Sequence, residues 1–139
     1  MWLTRIRHSG VRHTTFGVLA LLLSSSALAQ WSLLGRNENL RIYLADSEIR
    51  RNGDIAQMWQ MYDYVIAQWI GNRVIYSVRN LVEYDCAGKR SRTIAGAAYS
   101  EQMGRGSVVA SEEAANAEWA AVPAGGSQEK MWQVACGKN

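Results

Sequence analysis

Residues 74–92 read VIYSVRNLVEYDCAGKRSR, and the fold turns on this stretch. Apolar and polar residues alternate through it, the period-2 signature of a strand with one covered face. Val74, Tyr76, Val78, Val82, Tyr84 and Cys86 share one face, interrupted by Asn80. Ser77, Arg79, Glu83 and Asp85 share the other with Ile75 and Leu81. Ala87-Gly88 is a turn, and the chain returns as a second strand. A two-residue loop there sets Asp85 opposite Arg90 and Glu83 opposite Arg92 on the solvent face. Each such opposite-charge pair contributes ~0.2–1 kcal/mol and helps to fix the register. The face carrying Cys86 is expected to be the covered one.

Working outward toward the N-terminus, residues 31–35 (WSLLG) are short, apolar and bounded by glycine, a first strand. Residues 40–45 (LRIYLA) alternate as a half-buried strand does. Residues 46–49 break that run as a turn or a single helical turn, and Asn52-Gly53 signals a hairpin. Residues 55–64 (IAQMWQMYDY) carry both helical spacing and an aromatic-rich strand composition. Strand is the preferred reading, because its neighbours are strands and a meander has short connections. Residues 65–72 (VIAQWIGN) read as a connection, unusually apolar, with Ile66, Trp69 and Ile70 needing cover.

In the other direction, residues 89–100 continue as a strand in which Gly96 marks a bulge or the close approach of another segment. A turn over 103–106 leads to a short strand over 107–111. Residues 112–126 hold Pro123 and Gly125-Gly126 and read as a surface excursion, anchored by Trp119, with a helical turn or two over 112–121. Residues 127–135 read as a short amphipathic helix with Ser127 as N-cap and Met131, Val134 and Ala135 on one stripe. A nine-residue helix is marginal alone in water, so the sheet and Cys136 must hold it.

Residues 1–29 place Arg5, Arg7 and Arg12 before the apolar run 16–23 and end in Ala27-Leu28-Ala29. That is a secretory signal peptide, too short in its apolar part to be a membrane anchor. The residue directly after Ala29 is Gln30 and not a cysteine, so the chain is not read as a lipoprotein. Of the 15 basic residues three lie in this segment, leaving 12 against 12 acidic ones in residues 30–139. The exported chain is formally neutral, and nucleic acid is not an expected partner. Cys86 and Cys136 are the only cysteines, and in an oxidising compartment they read as a disulfide rather than two free thiols. Closing a loop of 50 residues stabilises by ~4 kcal/mol in the chain-entropy picture.

Both histidines, His8 and His13, also lie in the signal. A chain without histidine cannot build a Ser-His-Asp triad, a Cys-His pair or a His-ligated metal site. The carboxylate pairs Asp46/Glu48 and Glu83/Asp85 read as turn formers and salt-bridged surface groups, and Lys89, Lys130 and Lys138 sit in turn, helix and tail positions. A non-enzyme is expected, with no resident cofactor. Haem held by Tyr or Met is the one cofactor these residue types allow, although core packing is their commoner use. Five tryptophans and six tyrosines follow the signal, an aromatic load suited to binding. Trp69 and Trp119, each in a connection, are the candidate protein-binding residues. Free sheet edges also allow a homodimer.

Several stretches together resemble the surface-adhesin protein E family of Gram-negative bacteria. They are the tryptophan strand at 31–35, 43–49 (YLADSEI), 57–64, Tyr76-Ser77, 83–92 (EYDCAGKRSR), 99–106 (YSEQMGRG), 119–123 (WAAVP) and Val134-Ala135-Cys136. The resemblance covers nearly all of residues 30–139, which it makes one adhesin E-like domain. It implies an α+β, mainly β fold: an antiparallel sheet of about six strands, with a C-terminal helix tethered to one face by the disulfide. It also implies surface display, binding of host matrix or serum proteins such as vitronectin, laminin and plasminogen, dimerisation and haem binding. The family's namesake is a lipoprotein, which this chain is not expected to be. Against that reading stand a periplasmic binder of haem or a small hydrophobic ligand, and a structural envelope protein.

Overall fold

Eight antiparallel strands and one helix make up the computed structural model, which describes residues 30–138; the signal peptide read over 1–29 lies outside the described residues. Six strands run side by side in the order β1 (Ser32–Arg36), β2 (Leu40–Leu44), β4 (Ile55–Ile70), β5 (Arg73–Asp85), β6 (Arg90–Tyr99) and β7 (Val108–Glu113). Two short strands extend this path: β3 (Arg50–Asn52) pairs with β4, and β8 (Ala120–Ala121) with β6. The helix α1 (Ser127–Cys136) lies across one end of the sheet, held by the Cys86–Cys136 disulfide. The expected architecture is therefore present, with two more strands than the six expected.

The central hairpin has the register read from the sequence. Asp85 pairs with Arg90, Tyr84 with Ser91 and Glu83 with Arg92. On the Cys86 end the covered face is the expected one. Ala56, Met58, Val82 and Tyr84 pack with Leu44 and Val122 beneath Met131, Trp132 and Ala135 of α1. Burying the Leu, Val and Met side chains among these contributes about 1.5–3 kcal/mol each.

At the far end the cover changes face. Met61 and Asp63 of β4, with Ile75 and Ser77 of β5, are buried on the side away from the helix. A 3-10 turn, Gln102–Gly104, sits over them: the Met103 amide donates to Asp63 Oδ1 (2.6 Å), and the Gly104 amide donates to Ser77 Oγ (2.8 Å). Ser77 Oγ in turn donates to the Glu101 carbonyl at 2.6 Å. Asp63 also meets Arg41 at 3.4 Å. A single alternating pattern predicts one buried face; this strand pair has two, at opposite ends.

Three local readings are corrected. Residues 65–72 are not a connection: β4 runs on to Ile70, with an irregularity between Asp63 and Gln68, and only Gly71-Asn72 turns the chain. Their β-branched and aromatic residues make strand, as their composition allows. Residues 112–121 hold no helix. They end β7, turn, and supply β8, because the Arg90–Ser91 segment of β6 offers a free ladder. Ser127 is the first helical residue, with Gly126 as N-cap, and Glu129 Oε2 accepts the Gly125 amide at 2.6 Å. The helix closes with left-handed Gly137, whose amide and that of Lys138 reach back to Val134 and Gln133.

Candidate functional site

The face of the sheet opposite α1 carries a cleft of about 480 Å³ near its middle. Alternation places Trp59, Arg79, Ala95, Ala97 and Tyr99 on this face across β4, β5 and β6. Trp31, just before β1, forms a further wall. The floor is Ala95-Gly96-Ala97, and the rim carries Glu48, Glu112 and Glu113. A Cβ on Gly96 would project from the other face of the sheet, 2.7 Å from Asn80 Oδ1. The expected close approach at this glycine is that of a side chain, and a bulge lies beside it, between Leu81 and Val82 of the β5–β6 ladder.

Arg79 is the polar centre of the cleft. Its guanidinium lies between Trp31 (5.5 Å) and Tyr99 (5.2 Å) and donates from Nη2 to the Met103 carbonyl at 3.2 Å. Its Nε is buried with no hydrogen-bond partner. Among the described residues no acidic side chain pairs with Arg79, and no cationic one pairs with Glu48, Glu112 or Glu113. The site thus joins aromatic walls, a flat small-residue floor and three exposed carboxylates.

The residues singled out from sequence lie elsewhere. Trp69 stands at the end of the β4–β5 hairpin and is 65% exposed. Trp119 is stacked on Arg92 (4.4 Å) and Arg90 (5.5 Å). The ion pairs Asp85–Arg90 (2.6 Å) and Glu83–Arg92 (2.8 Å) are formed; the Trp119 segment lies over them in part, and the Arg90 side chain stays 49% exposed. Arg92 Nη1 also donates to the Ala117 carbonyl at 3.3 Å. Sequence reasoning did not pick out Trp31, Trp59, Arg79 or the three glutamates. The alternation already grouped Arg79 with one face, but Trp31 and Glu112 are brought there only by the strand order.

A profile of the family described as surface-adhesin protein E matches residues 31–137. The chain belongs to the surface-adhesin protein E family. Among solved structures it is similar to protein E from non-typeable Haemophilus influenzae, with a TM-score of 0.59 and 15% sequence identity over 83% of this chain and 82% of that one. At that identity the likeness concerns the fold. No curated protein sequence matches the chain.

The motifs that carried the family resemblance are used here largely as scaffold. In EYDCAGKRSR, the Asp85 carboxylate caps the turn through the Ala87 and Gly88 amides, and the Asp85 carbonyl accepts the Trp132 indole N–H at 3.1 Å. In YSEQMGRG, Gly104 and Gly106 have φ of +65° and +76°, and Ser100 Oγ accepts the Ser107 amide. Tyr99 is the motif residue that also faces the cleft.

Proposed function

We propose that this family member is an exported, non-catalytic binding protein of the adhesin type, whose protein ligand lies across the Trp31–Trp59–Tyr99 cleft and pairs a Lys or Arg side chain with its glutamate rim. The acid-rimmed aromatic cleft carries this reading. Arg79 already stacks on Trp31 and Tyr99, so a ligand cation finds its complement at the three rim carboxylates, with Trp59 left to pack its aliphatic stem. The flat floor leaves room for an extended backbone. A volume of this size suits one or two side chains, so the rest of the contact would run over the surrounding strand faces.

Haem fits the same surface poorly. The rim glutamates would face its propionates, and Met58, Met61 and Met131 are buried in the packed interior.

Immobilised vitronectin, laminin and plasminogen provide the test, with purified protein as the analyte. Binding to at least one is expected, weakened roughly ten-fold or more in Trp59→Ala and in a Glu112→Lys/Glu113→Lys variant. Unchanged affinity in variants that keep the native circular dichroism would discard the cleft. Failure to bind all three, together with protection from protease on intact cells, would discard the adhesin reading and leave a structural envelope role. A Soret shift on haem titration at micromolar protein would instead favour the cofactor binder.

A further inference from the structure

β7 is an outer strand of the sheet, paired with β6 along one side. Its ladder is regular from Ala110 to Glu113, and the Ala114 amide continues it by donating to the Ile94 carbonyl at 2.8 Å. In an antiparallel pair, successive residues point their backbone groups alternately toward the partner and away. Ala110 and Glu112 therefore direct theirs to β6, while Ser111 and Glu113 turn an N–H and a C=O outward. Ser111, Glu112 and Glu113 are all exposed, and β7 has neither the Lys nor the Pro that commonly blunts an edge. A hollow flanks this edge on each face. On one face lies the aromatic cleft, with Ser111 and Glu113 on its side of β7. On the other lies a hollow of about 260 Å³, built on Val78, Ala98 and Ala110 with Ile70 of the β4–β5 hairpin beside them. Ser111 and Glu112 line both hollows. Ala110 and Ser111 are small, so a longer side chain can pass over β7 into either one.

We infer that the β7 edge takes up an extended peptide segment as an added strand, whose side chains alternate between the two hollows. Lys or Arg meets the glutamate rim, and a branched apolar residue packs toward Val78 and Ala98. The inference rests on the binding-protein reading above and adds the conformation and residue pattern of the partner. In strand addition the main-chain hydrogen bonds give affinity and the alternate pockets give specificity. Two hollows of different chemistry, one on each face, match the period of two with which a strand presents its side chains. A second copy of this chain fits the edge less well. Residues 106–118 contain no Lys or Arg and three glutamates, Glu112, Glu113 and Glu118. The β7 of another molecule would bring carboxylates to a carboxylate rim.

The probe is an acetylated, amidated peptide about eight residues long that alternates Lys with Val. Bound to isotope-labelled protein, it should slow hydrogen exchange at the Ser111 and Glu113 amides roughly ten-fold or more, with little change at Glu112, whose amide already faces β6. Amides of alternate peptide residues face opposite edges. Methylating the lysine amides should therefore abolish the protection for an antiparallel strand, and methylating the valine amides for a parallel one. A peptide that tolerates both methylations, or neither, is not an added strand. Ser111→Pro removes an outward donor and spares the β6 ladder; it should weaken capture by the immobilised host proteins roughly ten-fold. Capture lost in Trp59→Ala but unchanged in Ser111→Pro would overturn the added strand and keep the cleft. Protection by the peptide with no host protein bound would keep the added strand and discard the adhesin. A dimer in sedimentation equilibrium that Ser111→Pro dissociates would also overturn the inference, since a second copy would then hold the edge.

Discussion

Asp85 accepts hydrogen bonds from the Ala87 and Gly88 amides and from both Nε and Nη2 of Arg90. The Gly88 amide first, and then Arg90, hold its carboxyl below the ordinary value of 3.8. Glu129 is held below its ordinary 4.5 by the Gly125 amide and then by Lys89. A carboxyl with a depressed folded pKa contributes stability that is complete above its unfolded pKa and lost as pH falls through the folded one. Melting temperature should therefore decline as pH drops below about 4, and Asp85→Asn should both lower it at neutral pH and flatten that acid limb. Parallel acid limbs for wild type and variant would refute this account. Gly104 makes a second residue-scale case. Its left-handed backbone disfavours any other residue, and an added Cβ would collide with the Arg79 guanidinium. Gly104→Ala should destabilise by about 1–2 kcal/mol from the backbone alone, with more from the displaced arginine. A denaturant midpoint equal to wild type would show that the turn adapts.

The helix is the element with least support of its own. Ten residues long, it has no side-chain N-cap, Glu129 accepting instead the Gly125 amide just ahead of it; it closes at Gly137 and buries Met131, Trp132 and Ala135. Lys89 pairs with Glu129, Lys138 lies over the Trp132 ring at 4.9 Å, and Arg51 Nε donates to the Ala135 carbonyl at 3.0 Å. The disulfide adds the restraint on the unfolded chain. Cys86→Ser/Cys136→Ser should lower unfolding free energy by up to ~4 kcal/mol in denaturant titration. Hydrogen exchange should then show the helix opening before the sheet. Retention of the wild-type midpoint would mean that packing alone holds the tail.

At the scale of the whole molecule, the sheet presents three surfaces with different chemistry: a helix-covered end, an acid-rimmed aromatic cleft on the opposite face, and an apolar hairpin tip. The cleft is proposed to meet protein. The outer strands β1 and β7 leave edges on which a second copy could pair. A dimer unaffected by Ser111→Pro would point to the edge of β1.

The sequence by itself determined what depends on a few neighbouring residues. Alternation over 74–86, the Asp85 and Glu83 pairings, the terminal helix and the cysteine clamp all follow from local periodicity, turn chemistry and compartment. Tertiary structure alone decided which face is covered at which end. It also turned 65–72 into strand and brought Trp31, Glu48, Arg79 and Glu112 around one cleft. The physical reason is range: a strand's pattern says that its faces differ, but what lies over each face is set by strand order and by which distant segments fold across it.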